Sequence, residues 1–152
     1  MTCQEAIKKE KDGCKEEETV SYDAGWQTRG SGRNYASLSG HGSMIGVTTG
    51  KVLAYAVRCK KCKQCDQDIT NDTTSSHDCR KNWSGSSKSM EPDIAVEMLH
   101  NLKEKGFHVK DLVMDNDTTT ISKARSSFDP NINKFSDFNH TKKNFTNKRN
   151  SS

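Results

Sequence analysis

Two β-prone runs joined by a Thr-Gly turn are the feature that most constrains how this chain can fold. The runs cover residues 44–48 and 51–58, and Thr49 and Gly50 form the turn between them. A third β-prone run, residues 19–22, precedes this pair. Tight turns that contain glycine join antiparallel strands. The sequence therefore predicts an antiparallel meander of three strands.

A helix, a strand and a second helix are predicted after the meander. Pro92 suits the first turn of a helix, and apolar residues then recur at helical spacing. Residues 109–114 form a short apolar strand, and residues 118–125 form a helix capped by Asp117 or Thr118. Because a helix lies between strands, the predicted fold class is α/β with a mixed sheet.

One domain with a modest core is predicted, because the chain has 152 residues of which only 30% are hydrophobic. Residues 1–18 carry dense charge of both signs and are predicted to be a flexible lead-in. Residues 19–148 form the domain, with residues 59–90 as an inserted loop. A last helix is predicted to begin near Phe135, and residues 149–152 are predicted to be a frayed tail.

The inserted loop contains cysteine and histidine at metal-ligand spacing. The ligand set, in chain order, is Cys62, Cys65, His77 and Cys79. Four such ligands suit tetrahedral Zn²⁺ with no open coordination position. The polar stretch 66–76 between the two pairs is predicted to be structureless, so a structural zinc ion would close a loop that has no core of its own. Cys59 is a spare thiol that competes with Cys62 or Cys65 for a place in the ligand shell.

The six cysteines could instead form the disulfides of a secreted domain, or remain free thiols. Triplets such as Asn71-Asp72-Thr73 agree superficially with secretion, because they match the glycosylation pattern. However, the N-terminus lacks the apolar segment of a signal peptide, and no run of 18 apolar residues could span a membrane. A reducing compartment is therefore the default, and the protein is predicted neither to be secreted nor to bind a membrane.

Two aspartates, Asp23 and Asp115, each follow a predicted strand. If those strands pair in one sheet, the carboxylates meet at one edge and could share Mg²⁺ or Mn²⁺ for in-line phosphoryl transfer. Asp23 also leads into glycine-rich backbone with Arg29 and Arg33, which suits a phosphate beside the cation. Taken alone, aspartate and glycine would indicate only an ordinary loop.

Together these motifs resemble the Mutator-like transposase domain. The residues that carry the resemblance are 21–33, 37–42, 49–52, 77–88, 90–93, 115–117 and 140–144. The resemblance implies a ribonuclease H-like fold, which the order of predicted elements also matches. It further implies an Asp, Asp, Glu triad that binds two Mg²⁺ ions, and cleavage and strand transfer of transposon DNA ends. The implied location is nuclear, or cytoplasmic for a decayed copy.

The resemblance also implies roles for individual residues. Asp23 matches the first acid, and Asp115 or Asp117 matches the second. We favour Asp115, because it directly follows its strand. The cysteine and histidine set matches a zinc-type insertion of the family. DNA contacts are expected from Arg29, Arg33, Lys88, Lys142 and Lys143. His140 resembles the histidine of a Cys-x-x-His segment, although Asp137 stands where cysteine is usual.

One departure from the family pattern concerns the third acid. In the family this glutamate lies beyond the histidine matched by His140, and no glutamate follows Glu104 in this chain. The chain is therefore expected to be a truncated or decayed copy that does not cut DNA alone, with any oligomer contacts in the missing remainder. The alternative is a zinc-stabilised module that binds DNA or protein without catalysis.

Overall fold

A five-stranded mixed sheet with helices packed against it forms the fold in the computed structural model, which describes residues 2–13, 18–26, 38–71, 76–115 and 117–136. In chain order the elements are α1 (Cys3–Gly13), β1 (Thr19–Trp26), β2 (Ser39–Gly46), β3 (Val52–Cys59), α2 (Lys63–Asn71), α3 (Ser87–Glu104), β4 (Asp111–Met114), α4 (Thr118–Ser127) and β5 (Asn133–Ser136). The predicted α/β class with a mixed sheet is confirmed.

The strands lie in the order β3-β2-β1-β4-β5. Strand β2 pairs antiparallel with both β1 and β3, which gives the predicted meander. Strand β4 pairs parallel with β1 and with β5. The turn from β2 to β3 contains Gly50 with a φ of 66°, a left-handed conformation that glycine adopts at little cost. The carboxyl ends of β1, β3, β4 and β5 therefore all point towards one end of the sheet.

Helix α3 covers one face of the sheet. Its buried residues recur at helical spacing and are Met90, Pro92, Ile94, Ala95, Met98, Leu99 and Leu102. Gly42 of β2 allows a close approach, because a Cβ there would lie only 2.6 Å from Ile94 Cγ2 and 3.1 Å from the Tyr22 ring. Burial of each large apolar side chain contributes roughly 1.5–3 kcal/mol. The contact between α3 and the sheet therefore supplies much of the core.

The prediction of a flexible lead-in over residues 1–18 is wrong for the segment that forms α1. Ala6, Ile7 and Glu10 of this helix are buried. The Glu10 carboxylate accepts hydrogen bonds from the backbone N–H groups of Thr48 and Thr49, at 2.9 and 2.8 Å, in the turn between β2 and β3. The high charge content of this segment masked a narrow apolar face, formed by Ala6 and Ile7, and the Glu10 carboxylate that the turn binds.

Three further predictions differ from the structure. Helix α2 occupies most of the stretch 66–76 that was predicted to be structureless. Helix α3 begins before Pro92, because Ser86 caps it by accepting from the Ser89 backbone N–H at 3.2 Å. Phe135 lies in β5, not in a helix, because the segment completes the sheet beside β4. In each case a local propensity was overridden by a cap, a metal-ligand loop or a strand partner.

Candidate metal centres

The four predicted zinc ligands come together at one point. The ligand atoms of Cys62, Cys65, His77 and Cys79 all lie within 4.8 Å of one another. The Sγ atoms of Cys62 and Cys65 lie 3.3 and 3.4 Å from His77 Nε2, and the two Sγ atoms of Cys65 and Cys79 are 3.6 Å apart. Tetrahedral zinc, with bonds near 2.3 Å to sulfur and 2.0 Å to nitrogen, separates its ligand atoms by about 3.6–3.8 Å. The cluster could therefore hold zinc with four protein ligands.

Hydrogen bonds within the cluster prepare one thiol for a metal. The backbone N–H of Cys65 lowers the pKa of Cys62 to about 6, whereas the hydrogen bond with Cys79 raises the pKa of Cys65 to about 11. The thiolate is the form that binds metal, so Cys62 supplies a negative ligand near neutral pH. Cys59 lies outside this cluster, since its thiol donates to the Lys61 carbonyl at 3.1 Å.

The loop that carries the cluster begins and ends at one edge of the sheet. It leaves the sheet at Cys59, the last residue of β3, and it returns beside that residue. The backbone N–H groups of Asn82 and Trp83 both donate to the Cys59 carbonyl, at 3.0 and 3.2 Å. The Asn82 side chain accepts from the Cys59 N–H at 2.7 Å. Because β1 and β3 point the same way, the loop projects from the end of the sheet at which β1 finishes.

Asp23 and Asp115 hold equivalent positions on neighbouring strands at that same end. The parallel pairing between β1 and β4 runs as far as Ser21 and Val113. Asp23 and Asp115 each lie two residues beyond that last pair. Neighbouring strands lie about 4.8 Å apart. Both aspartates are exposed. Asp23 lies within β1 rather than at its end, because β1 continues its antiparallel pairing with β2 as far as Trp26.

Asp117 caps the start of α4, as one of the two predicted alternatives. Its carboxylate accepts from the Thr119 backbone N–H at 3.0 Å and from the Thr120 hydroxyl at 2.7 Å. Burial raises the pKa of Asp117, but the hydrogen bonds from Thr120 and Thr119 outweigh burial and bring the pKa below its usual value. The carboxylate is therefore charged and held in place by the helix.

Glu91 of α3 is a further carboxylate at this end of the sheet. It is half-buried, and burial together with the charges of Asp117, Asp115 and Asp23 raises its pKa to about 7. Electrostatic coupling between solvated charges is largely screened beyond about 10 Å. The structure thus brings four acidic side chains from β1, α3, the β4 end and the α4 cap to one region, which we call the acid cluster (Asp23, Glu91, Asp115 and Asp117).

Tyr22 joins the helix and the sheet at this point. The Tyr22 hydroxyl donates to the Glu91 backbone carbonyl at 3.1 Å, and burial raises the pKa of Tyr22 well above its usual value. The sequence pattern did not mark Glu91 as a site residue. The start of the helix was predicted at Pro92, which left Glu91 in the preceding loop, although Met90 and Ile94 already have the helical spacing that would have included it.

Comparison with known protein families decides what kind of domain this is. A family model described as Mutator-like transposase matches residues 1–152. The chain belongs to the Mutator-like transposase family. No curated protein and no solved structure matches it significantly. The family inferred from the sequence motifs is therefore confirmed.

The DNA-contacting residues predicted for this Mutator-like transposase chain are only partly described. Lys88 is exposed in the first turn of α3. It lines a cleft of about 280 Å³ together with Ser86, Ser89, Pro92, Thr119 and Lys123. Arg29, Arg33, His140, Lys142 and Lys143 lie outside the described residues, and their roles stay predictions. Within the part of the transposase chain that the structure describes, no helix has the length and apolar character needed to cross a membrane.

Proposed function

We propose that this chain carries the metal-binding part of a transposase domain that cleaves DNA and transfers strands by metal-dependent phosphoryl transfer. The observation that carries the proposal is the parallel register of β1 and β4, which sets Asp23 and Asp115 on adjacent strands. A ribonuclease H-like fold is part of the proposal. It is supported by the strand order β3-β2-β1-β4-β5, in which β2 alone runs against the others.

Asp23 and Asp115 would hold the catalytic Mg²⁺ or Mn²⁺. Carboxylate oxygens are the ligands these hard cations prefer, and two such ions about 4 Å apart stabilise the attacking and leaving oxygens of a phosphodiester. Asp117 shares its oxygens with the start of α4, which favours Asp115 as the second acid. Glu91 supplies a third carboxylate from α3. Burial is the largest cause of its raised pKa, and the charges of Asp117, Asp115 and Asp23 add to it; a bound cation would offset that repulsion.

The cluster of Cys62, Cys65, His77 and Cys79 would hold a structural zinc ion. Three thiolates and one imidazole complete a tetrahedral shell, so no position remains for water or substrate. The zinc ion would fold the insertion between β3 and α3 and would take no part in phosphoryl transfer. DNA as the partner follows from the family, and Lys88 and Lys123 in the cleft beside α3 and α4 offer positive charge to a phosphate backbone. A nuclear location is part of the same proposal.

Mn²⁺ binding tests the proposal on zinc-loaded protein 1–152. Electron paramagnetic resonance would compare the unchanged protein with Asp23→Asn and Asp115→Asn, each of which removes one charged ligand. Asp12→Asn, an exposed aspartate of α1, is the matched control. We expect the unchanged protein and the control to bind Mn²⁺ alike, and each site variant to lose affinity by about tenfold or more.

Equal Mn²⁺ binding by all four proteins, or no binding by any of them, would refute the catalytic proposal. That result would leave the zinc-stabilised binding module without catalysis. A plasmid-nicking assay with Mn²⁺ separates two further cases. Nicking that is lost in both Asp23→Asn and Glu91→Gln would establish that Glu91 serves as the third acid, whereas Mn²⁺ binding without nicking would mean that the expected third glutamate is still required.

A further inference from the structure

One backbone hydrogen bond is missing from the start of α3. Pro92 lies inside the helix, six residues after the cap at Ser86. Proline has no backbone N–H, so the carbonyl of Lys88 receives no hydrogen bond from the residue four positions later. Contacts from outside the helix therefore add to the Ser86 cap and the buried Met90 side chain in positioning the turn that contains Glu91.

Three such contacts reach this turn. The Trp83 indole N–H donates to the Ser86 carbonyl at 3.0 Å. Lys60 Nζ donates to the Ser87 hydroxyl oxygen at 3.0 Å. The third contact is the bond from the Tyr22 hydroxyl to the Glu91 carbonyl. The bonds from Trp83 and Lys60 come from the segments that flank the zinc ligands, whereas the bond from Tyr22 comes from the core of the sheet.

The flanking segment that follows Cys79 is bound to β3 by side-chain contacts. The Asn82 side chain bridges two backbone groups of that strand, because it accepts from the Cys59 N–H at 2.7 Å and donates to the Val57 carbonyl at 2.9 Å. Trp83 also packs beneath the buried Arg58 guanidinium, whose carbon lies 5.9 Å from the ring centroid. Arg58 in turn pairs with Asp93 and Glu97 of α3. Asn82 follows the zinc ligand Cys79 by only three residues.

We propose that Asn82 and Trp83 are positioning residues that couple the metal state of the cysteine and histidine cluster to the placement of Glu91. When the cluster holds zinc, residues 79–83 are fixed against β3, and Trp83 then holds the cap of α3. When the cluster is empty, this connection loosens, and the turn from Ser86 to Glu91 keeps its serine cap, the buried Met90 side chain and the bond from Tyr22, but loses the hold of Trp83. The zinc ion thus acts on the acid cluster from a distance, although it does not touch DNA. Only the expected effect of this coupling on Mn²⁺ binding rests on the proposed function.

Hydrogen exchange tests the coupling without any assay of catalysis. Zinc-loaded protein and protein stripped of zinc would be compared by mass spectrometry of backbone amide exchange. After removal of zinc, we expect amides of residues 86–91 to exchange faster by on the order of tenfold, the change that accompanies the loss of one hydrogen bond. Amides of β4 and β5 should not change, which excludes general unfolding. Unchanged exchange at residues 86–91 would overturn the proposal.

A second variant keeps the test decisive if the stripped protein unfolds. Asn82→Ala in zinc-loaded protein removes both bridges to β3, and Asn133→Ala is the matched control, because Asn133 bonds Asp111 at the opposite end of the sheet. We expect Asn82→Ala to keep its zinc content while exchange at residues 86–91 rises and Mn²⁺ affinity falls several-fold. Asn82→Gln keeps a side-chain amide that can bridge the strand, so it should recover part of the Mn²⁺ affinity. If Asn82→Ala behaves like Asn133→Ala, the coupling is refuted.

The two proposals fail in distinguishable ways. If unchanged, zinc-loaded protein binds no Mn²⁺ through Asp23, the proposed function fails, but the exchange of residues 86–91 still reports on the coupling. If Mn²⁺ binds through Asp23 and its affinity is the same with and without zinc, the function stands and the coupling to Glu91 is wrong.

Discussion

Replacement of Glu91 by glutamine should stabilise the protein above neutral pH when no divalent cation occupies the acid cluster. The folded chain raises the pKa of Glu91 from 4.5 to about 7, first through burial and then through Asp117, Asp115 and Asp23. The folded state therefore binds more protons than the unfolded state between these two values, and stability falls as pH rises through that window. Glutamine cannot ionise, so the variant does not lose this stability.

The magnitude follows from the same difference in pKa. About 2.5 pKa units correspond to at most about 3.4 kcal/mol. Because the Glu91 side chain is only half-buried, solvent screening reduces this to about 1–2 kcal/mol. For a chain of this size, that free energy corresponds to an increase of roughly 3–6 °C in the melting temperature of Glu91→Gln at pH 8. Below about pH 4.5 the advantage should vanish.

Thermal unfolding monitored by circular dichroism from pH 4 to pH 8 measures this effect in zinc-loaded protein free of Mg²⁺ and Mn²⁺. Glu104→Gln, at the exposed end of α3, is the matched control. Glu97→Gln is unsuitable, because Glu97 pairs with Arg58. Addition of Mn²⁺ should stabilise the unchanged protein and leave Glu91→Gln less affected. A difference between the two proteins that stays constant across this pH range would refute the electrostatic assignment.

Three further predictions concern the zinc ligands, α1 and α4. Cys79→Ser should lower bound zinc, measured by mass spectrometry of metals, whereas Cys59→Ser should keep one zinc per chain; equal zinc in both variants would exclude the assigned ligand set. Glu10→Gln should destabilise the fold by about 1–3 kcal/mol in urea unfolding, because charged hydrogen bonds to the β2–β3 turn are lost, and the loss should shrink as pH falls and Glu10 is protonated. Asp117→Ala should cost about 1 kcal/mol through loss of the α4 cap, while Asp117→Asn should retain most of it; an equal loss in both would argue that charge, not capping, holds the helix start.

Strands β1 to β4 and the ligand spacing were readable from the sequence because they depend on neighbours along the chain. The Thr49-Gly50 turn sets β2 against β3, and the close spacing of Cys62 with Cys65 and of His77 with Cys79 brings each pair to one side of a short loop. The cap at Asp117 is equally local, since the side chain bonds residues two and three positions later. The residues that identified the family could also be recognised from the sequence alone.

The tertiary structure decided the features that depend on partners far away in the chain. Glu10 is buried only because the turn at Thr48 and Thr49, some 38 residues on, offers backbone N–H groups to its carboxylate, and no propensity of a charged helix could indicate that. Glu91 joined the acids because α3 starts at a serine cap ahead of Pro92 and because Tyr22 of β1 bonds the Glu91 carbonyl. Local hydrogen bonds and turn chemistry act over a few residues, whereas burial and electrostatic coupling act through space. The sequence therefore determined the family, the meander, the metal-ligand spacing and the two aspartates that follow neighbouring strands, whereas packing brought Glu10 to the β2–β3 turn and Glu91 to the acid cluster.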